Sequence, residues 1–167
     1  MRLFWNNLID TATVTASSEA DDYEIEHIQH IWKKRTWRST GASSETISIT
    51  LTSAEDVKAL ILYNHNIPTT ATLRVKANTV NNEATAILNK KITVTSEKIR
   101  YYFKMGVQNY TYWWITIDYA GGSTGDYFEI GRVHLGDYYE LDYQYATLNH
   151  GFVDPSTKIY SDDLQLA

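Results

Sequence analysis

The chain has 167 residues, no cysteine, two prolines, and an aromatic load of 5 Trp, 13 Tyr and 4 Phe. It carries 15 basic against 20 acidic residues, a net charge of -5, which argues against nucleic acid as the main partner. Without cysteine there is no disulfide framework, no thiolate metal site and no cysteine catalysis. No apolar run reaches about 18 residues, so no membrane insertion is expected. The first seven residues, Met1 to Asn7, turn polar before a signal peptide could develop.

In chain order, Ala12 to Ser18 alternates Thr and Val with small residues, the pattern of a half-buried strand. Between Asp21 and Lys34 the period changes. Ile25, Ile28, Ile31 and Trp32 recur at helical spacing after acidic residues, which predicts a short helix or compact loop. Ile47, Ile49 and Leu51 then share one face of a strand over Thr46 to Leu51. Thr52-Ser53-Ala54-Glu55 matches a capping box and predicts one capped turn between two strands. Val57 to Tyr63 reads as a more fully buried strand, and Thr70 to Thr79 alternates with Thr72, Arg74 and Lys76 outward. Further strands are predicted at Lys91 to Thr95, Lys98 to Phe103, Trp113 to Tyr119 and Tyr127 to Leu135, with Gly121 to Gly125 as a loop. The class is all-β, a jelly-roll β-sandwich with one short helix. Residues 1–136 form the expected sandwich, and 137–167 an acidic, Tyr-rich C-terminal arm. From residue 125 onward eight acidic residues face only Arg132 and Lys158.

The order Ala16-Ser17-Ser18-Glu19, short apolar helix, Thr36-Trp37-Arg38-Ser39 and the Ile47-Ile49-Leu51 strand resembles the galactose-binding-like jelly roll of discoidin and coagulation-factor type-C domains. That resemblance implies a core position for Trp37. The family's two terminal cysteines are absent here. A narrower resemblance rests on Leu62-Tyr63-Asn64-His65-Asn66, Ala71-Thr72-Leu73-Arg74-Val75 and the closing Glu129 to Gly136. These blocks, with the Tyr-rich stretch and Asp154-Pro155-Ser156-Thr157-Lys158 after them, are similar to bacteriophage tail-associated proteins. The implication is a virion tail component made in the bacterial host cytoplasm, with copies of itself or other tail proteins as partners.

Catalysis finds no support in the sequence. The five histidines are scattered, no Gly-x-Ser-x-Gly elbow occurs, and no carboxylate spacing favours a glycosidase pair. His27 and His30 could share a helix face and grip zinc, but a polar helix face is the preferred reading. Asp21, Asp22, Glu24 and Glu26 could supply oxygens to a structural calcium, as discoidin-like domains often do. A solvated acidic helix start is preferred, so no metal and no cofactor is expected.

Glycan contact needs an exposed aromatic face and planar polar groups. The candidates are Trp32, His65, Asn66, and Tyr110 and Tyr112 in an expected Gln108 to Tyr112 loop. Alternatively, Asn64 and Asn66 bond their own backbone in a turn, and either tyrosine caps the core. Phe4 and Trp5, outside the expected sandwich, and Tyr138, Tyr139, Tyr143, Tyr145, Phe152 and Tyr160, which have no evident core position in a monomeric sandwich, are candidate interface residues; the alternative is that the arm folds back on its own sandwich. The expected function is a non-catalytic structural tail component assembling through protein contacts. The alternative is a carbohydrate-binding module attaching to a host surface glycan, and the third reading is an accessory domain of a glycan-degrading enzyme.

Overall fold

A computed structural model describes residues 2–4, 6–30, 35–95 and 101–140. The strands are β1 (Arg2–Phe4), β2 (Thr13–Ala16), β3 (Trp37–Arg38), β4 (Ser44–His65), β5 (Thr72–Asn78), β6 (Leu88–Ile92), β7 (Tyr101–Asp118), β8 (Glu129–Gly136) and β9 (Tyr138–Glu140). Seven of them join in the order β3-β8-β4-β7-β5-β6, with β2 on β4, while β1 and β9 form a separate two-stranded sheet.

The sandwich arises because two long strands bend. β4 runs for 22 residues, against a usual strand length of about 5–6. Its register with β7 shifts between Thr50 and Glu55 and again between Val57 and Ala59. Before the bend β4 pairs with β2 and the C-terminal half of β7; after it, with β8 and the N-terminal half of β7. One continuous sheet thus folds back on itself around a shared core. The expected capped turn at Thr52 to Glu55 is instead an irregularity within β4, where Ser53 Oγ donates to Glu55 Oε1 at 2.8 Å. Likewise Tyr101 to Phe103, from the strand expected at Lys98 to Phe103, and Trp113 to Asp118, from the one expected at Trp113 to Tyr119, belong to one strand, which absorbs the Gln108 to Tyr112 loop; Lys98 to Arg100 lie outside the described residues. The strand expected at Lys91 to Thr95 sits slightly earlier, at Leu88–Ile92.

The apolar alternation decides which side faces in. Ile47, Ile49 and Leu51 of β4 meet Trp113, Ile115 and Ile117 of β7 and Leu73, Val75 and Ala77 of β5. The irregularity after Val57 switches the inward parity, so Leu60 and Leu62 now face the core with Ile130, Val133 and Leu135 of β8. Ala59 and Ile61 are buried too, as expected for Val57 to Tyr63. Beside them on β8, His134 meets the Phe4 ring edge-on at 5.4 Å, and Phe4 lies 5.8 Å from Tyr138. Asn7 adds a side-chain imitation of a strand partner, donating to Val133 O at 2.9 Å and accepting from Leu135 N at 3.0 Å.

In the segment expected to be helical, a 3-10 helix spans Ile25–Gln29 and buries Ile25 and Ile28. Ile31 and Trp32 lie outside the described residues. The chain divides into a unit of Phe4–Tyr138, which holds the sandwich, and a second of Met1–Leu3 with Tyr139–Ala167. Trp5 and, in the expected arm, Tyr143, Tyr145, Phe152 and Tyr160 also lie outside the described residues.

Candidate functional site

Because β4 doubles back, its two ends meet. Ala42 before it and Asn66 after it line the same cleft, together with Tyr119 just beyond β7. The bend lies at the other end of the sandwich. Short polar motifs hold the loops of the cleft end in place. Ser17 and Ser18 both donate to the buried Glu45 carboxylate, the Ser18 contact at 2.7 Å. The carbonyl of Ser18 accepts the indole N–H of fully buried Trp37 at 3.1 Å. Glu19 Oε2 accepts from Ile25 N at 3.1 Å, and Ser39 Oγ accepts from Phe128 N at 2.8 Å. The Ala16 to Glu19 and Thr36 to Ser39 motifs therefore work as one brace.

That brace fixes Arg38. Trp37 points into the core, so alternation turns Arg38 outward at the loop end. Its guanidinium carbon lies 3.9 Å from the centre of the Tyr23 ring and 4.7 Å from that of Tyr127. Glu129 Oε2 holds its Nε at 3.0 Å. Among the described residues its terminal nitrogens donate to no protein acceptor, so a planar edge of N–H groups remains for a ligand. Tyr127 is 39% exposed.

Each of the two tyrosines also lines a cleft, Tyr127 the first and Tyr23 the second. The first, about 390 Å³, takes in Ala42, Asn66, Pro68, Tyr127 and Phe128. The second, about 410 Å³, takes in Asp22, Tyr23, Glu24, His27 and Arg35. Volumes at the low end of the range for small-ligand sites suit one sugar ring each. In the second cleft His27 is already engaged, with Nδ1 3.1 Å from Thr36 O and Nε2 3.2 Å from Glu24. Among the described residues no group of three or more acidic or histidine side chains is arranged to hold a metal ion.

The sequence candidates are distributed differently. Trp32 lies outside the described residues. His65 is 3% exposed, opposite Ile130 on β8, and burial pushes its pKa below the usual 6.5, so it is not a surface contact. Asn66 does reach the cleft, but its amide is committed. Its Nδ2 donates to Tyr127 O at 2.9 Å and its Oδ1 accepts from Glu129 N at 2.6 Å, which positions Tyr127. Tyr110 and Tyr112 lie within β7 near the bend, away from the cleft, and Tyr110 packs T-shaped on Trp113 at 6.0 Å. Of the candidate interface residues, Phe4 packs against His134 and against Tyr138, while Tyr139 is exposed. Tyr23, Arg38 and Tyr127 were missed by sequence reasoning. The available signal was parity: Arg38 follows a core tryptophan, and Tyr127 precedes the fully buried Phe128.

No family model matches the sequence, and no curated protein matches it. Solved structures match in fold. A chitosan-binding module from a Paenibacillus chitosanase/glucanase is 17% identical with a TM-score of 0.62, over 80% of this chain and 100% of that one. A Streptococcus pneumoniae fucose-binding module is 14% identical with a TM-score of 0.65, over 81% and 100%. A Clostridium perfringens module solved with GalNAc-β-1,3-galactose is 10% identical with a TM-score of 0.62, over 78% and 99%. The fold is thus the galactose-binding-like β-sandwich. These neighbours are carbohydrate-binding modules, which overturns the expected structural role in a phage tail. The tail reading is withdrawn, and with it the tail partners.

Proposed function

We propose that this chain is a non-catalytic carbohydrate-binding module whose glycan site is the Tyr23–Arg38–Tyr127 platform at the loop end of the sandwich. The observation that carries the proposal is Arg38. Its guanidinium is stacked against two tyrosine rings, of which Tyr127 lines one cleft and Tyr23 another, is anchored through Nε by Glu129, and keeps its terminal N–H edge free of protein acceptors among the described residues. A guanidinium fixed in this way donates a rigid pair of hydrogen bonds to adjacent ring hydroxyls, at little rotamer cost. The exposed face of Tyr127 offers the apolar surface on which the C–H side of a pyranose packs. The sugar ligands of the fold's neighbours support the same reading.

A glycan array tests it. The intact protein should be retained on at least one class of neutral glycan, and Tyr127→Ala should remove that retention while keeping a cooperative melt. An intact protein that binds no glycan would overturn the proposal.

A further inference from the structure

On β8, Val133 and Leu135 face the core, so His134 between them points to the outer face of the sheet. Its register partner on β4, Ile61, points outward in the same way between Leu60 and Leu62. Both are nevertheless buried. Part of the cover is the chain entering the sandwich. The Phe4 ring sits edge-on to His134, and a methyl group on Gly136 would lie 2.6 Å from the Asn6 carbonyl oxygen. Asn7 then fastens this strap to the backbone of Val133 and Leu135. The histidine beneath is poorly placed to carry charge. Its Nε2 is buried without a hydrogen-bond partner among the described residues. The two neighbouring acids are already committed, Asp10 to Arg132 through two bonds of 3.0 Å and Asp137 to Lys58 at 2.9 Å. Tyrosines stand on the same face, Tyr63 two residues along β4 from Ile61 and Tyr138 against Phe4. Burial pushes the ring's pKa below the usual 6.5; the Arg132 charge adds to that, and the Asp137 backbone and the Asp10 charge oppose it.

We infer that Phe4, Asn6 and Asn7 form an acid-released strap: a proton on His134 lifts Phe4 and Asn6 off the outer face of β8, with Asn7 as the hinge. β8 itself is held by its register with β4 from Ala59 to Tyr63, so the strap is the part that moves. Opening gives the second N–H of the imidazolium water as its acceptor and removes the cost of a buried, unpaired charge. It also bares part of an apolar face that carries Ala59 and Ile61. The open form binds the proton more tightly, so its population grows as pH falls below 6.5. The sandwich core lies on the other face of the sheet and stays closed. This device does not depend on the carbohydrate-binding reading.

Residue-resolved amide hydrogen exchange of the full chain at pH 7.5 and pH 5 tests it, after correction for the intrinsic pH dependence of exchange. On acidification, exchange at Phe4 and Asn6 should speed at least about tenfold relative to Ile49 in the core. His134→Phe keeps a ring of similar size without the charge, and His134→Gln is a second neutral replacement. Either should abolish the response and leave the strap closed at both pH values. Phe4→Ala should leave Asn6 open at both. A strap whose exchange does not change with pH would overturn the inference. So would a response that survives in either folded His134 variant. Equal speeding at Ile49 would mean unfolding of the whole sandwich and would overturn it too.

Discussion

The guanidinium carbon of Arg38 lies 3.9 Å from the centre of the Tyr23 ring, tying the loop before the 3-10 helix to the short strand β3. Cation–π contacts at accessible sites are worth about 0.5–1 kcal/mol each, and the partly exposed ion pair with Glu129 adds little. Arg38→Ala should therefore cost about 1–2 kcal/mol, a fall of roughly 2–8 °C in melting temperature for a domain of this size. Arg38→Lys keeps the charge but not the plane or the fork, so it should regain some stability and none of the glycan retention. Calorimetric melts and array binding of the two variants check this. Full binding by Arg38→Lys would contradict a role for the guanidinium edge.

His65 and His134 make stability pH-dependent. Burial lowers the pKa of both. For His134, the backbone of Asp137 and the charge of Asp10 work against that shift, and the charge of Arg132 works with it. A folded-state pKa below the unfolded value means that the unfolded chain takes up protons first. Stability should therefore be complete above the ordinary value of 6.5 and decline as pH falls below it. Neither ring nitrogen of His65 has a hydrogen-bond partner among the described residues. An unsatisfied buried polar group costs about 1–3 kcal/mol, so His65→Leu should match or exceed the parent in stability at pH 7.5. It should also flatten the acid limb. Urea unfolding at pH 7.5 and 5 measures both, and an unaltered pH slope would count against this assignment.

Tyr110 offers a contrast. It packs on Trp113 close to the bend, far from the clefts. Tyr110→Ala should cost about 1–2 kcal/mol in stability and leave glycan affinity unchanged. Loss of binding with an unchanged melt would place the site at the bend instead.

Gly122 is required by close approach. A methyl group there would fall on the carbonyl oxygen of Ala42, a wall of the first cleft, whereas one on Gly41 meets nothing within 4 Å. Gly122→Ala should force the 119–125 loop outward and weaken binding at least about tenfold, or about 1.4 kcal/mol. Gly41→Ala should be silent in the same assay.

Much of the fold was legible because it is local. Alternation marked β2, β5 and β8, and the Thr36-Trp37 step located a core tryptophan that is fully buried. The bends in β4 and β7 were not legible: a polar run such as Thr52 to Asp56 reads as a turn unless the pairing across it is known. The site was hidden for a related reason. Tyr23, Arg38 and Tyr127 come from three separate segments, and only the folded sheet brings them together. Asn66 was identified as a site residue, yet its hydrogen bonds show that it acts by positioning Tyr127. His65 sits next to it in sequence but turns inside, after Asn64 takes a φ of 52°.

The most direct test of a glycan site at the loop end is amide chemical-shift mapping of the isotopically labelled protein during titration with an array-selected glycan. The expected result is saturable shifts concentrated at Tyr23, Arg38, Asn66 and Tyr127, with Tyr110 and Tyr112 unmoved. Shifts centred on Tyr110 and Tyr112, or none at saturating glycan, would contradict it.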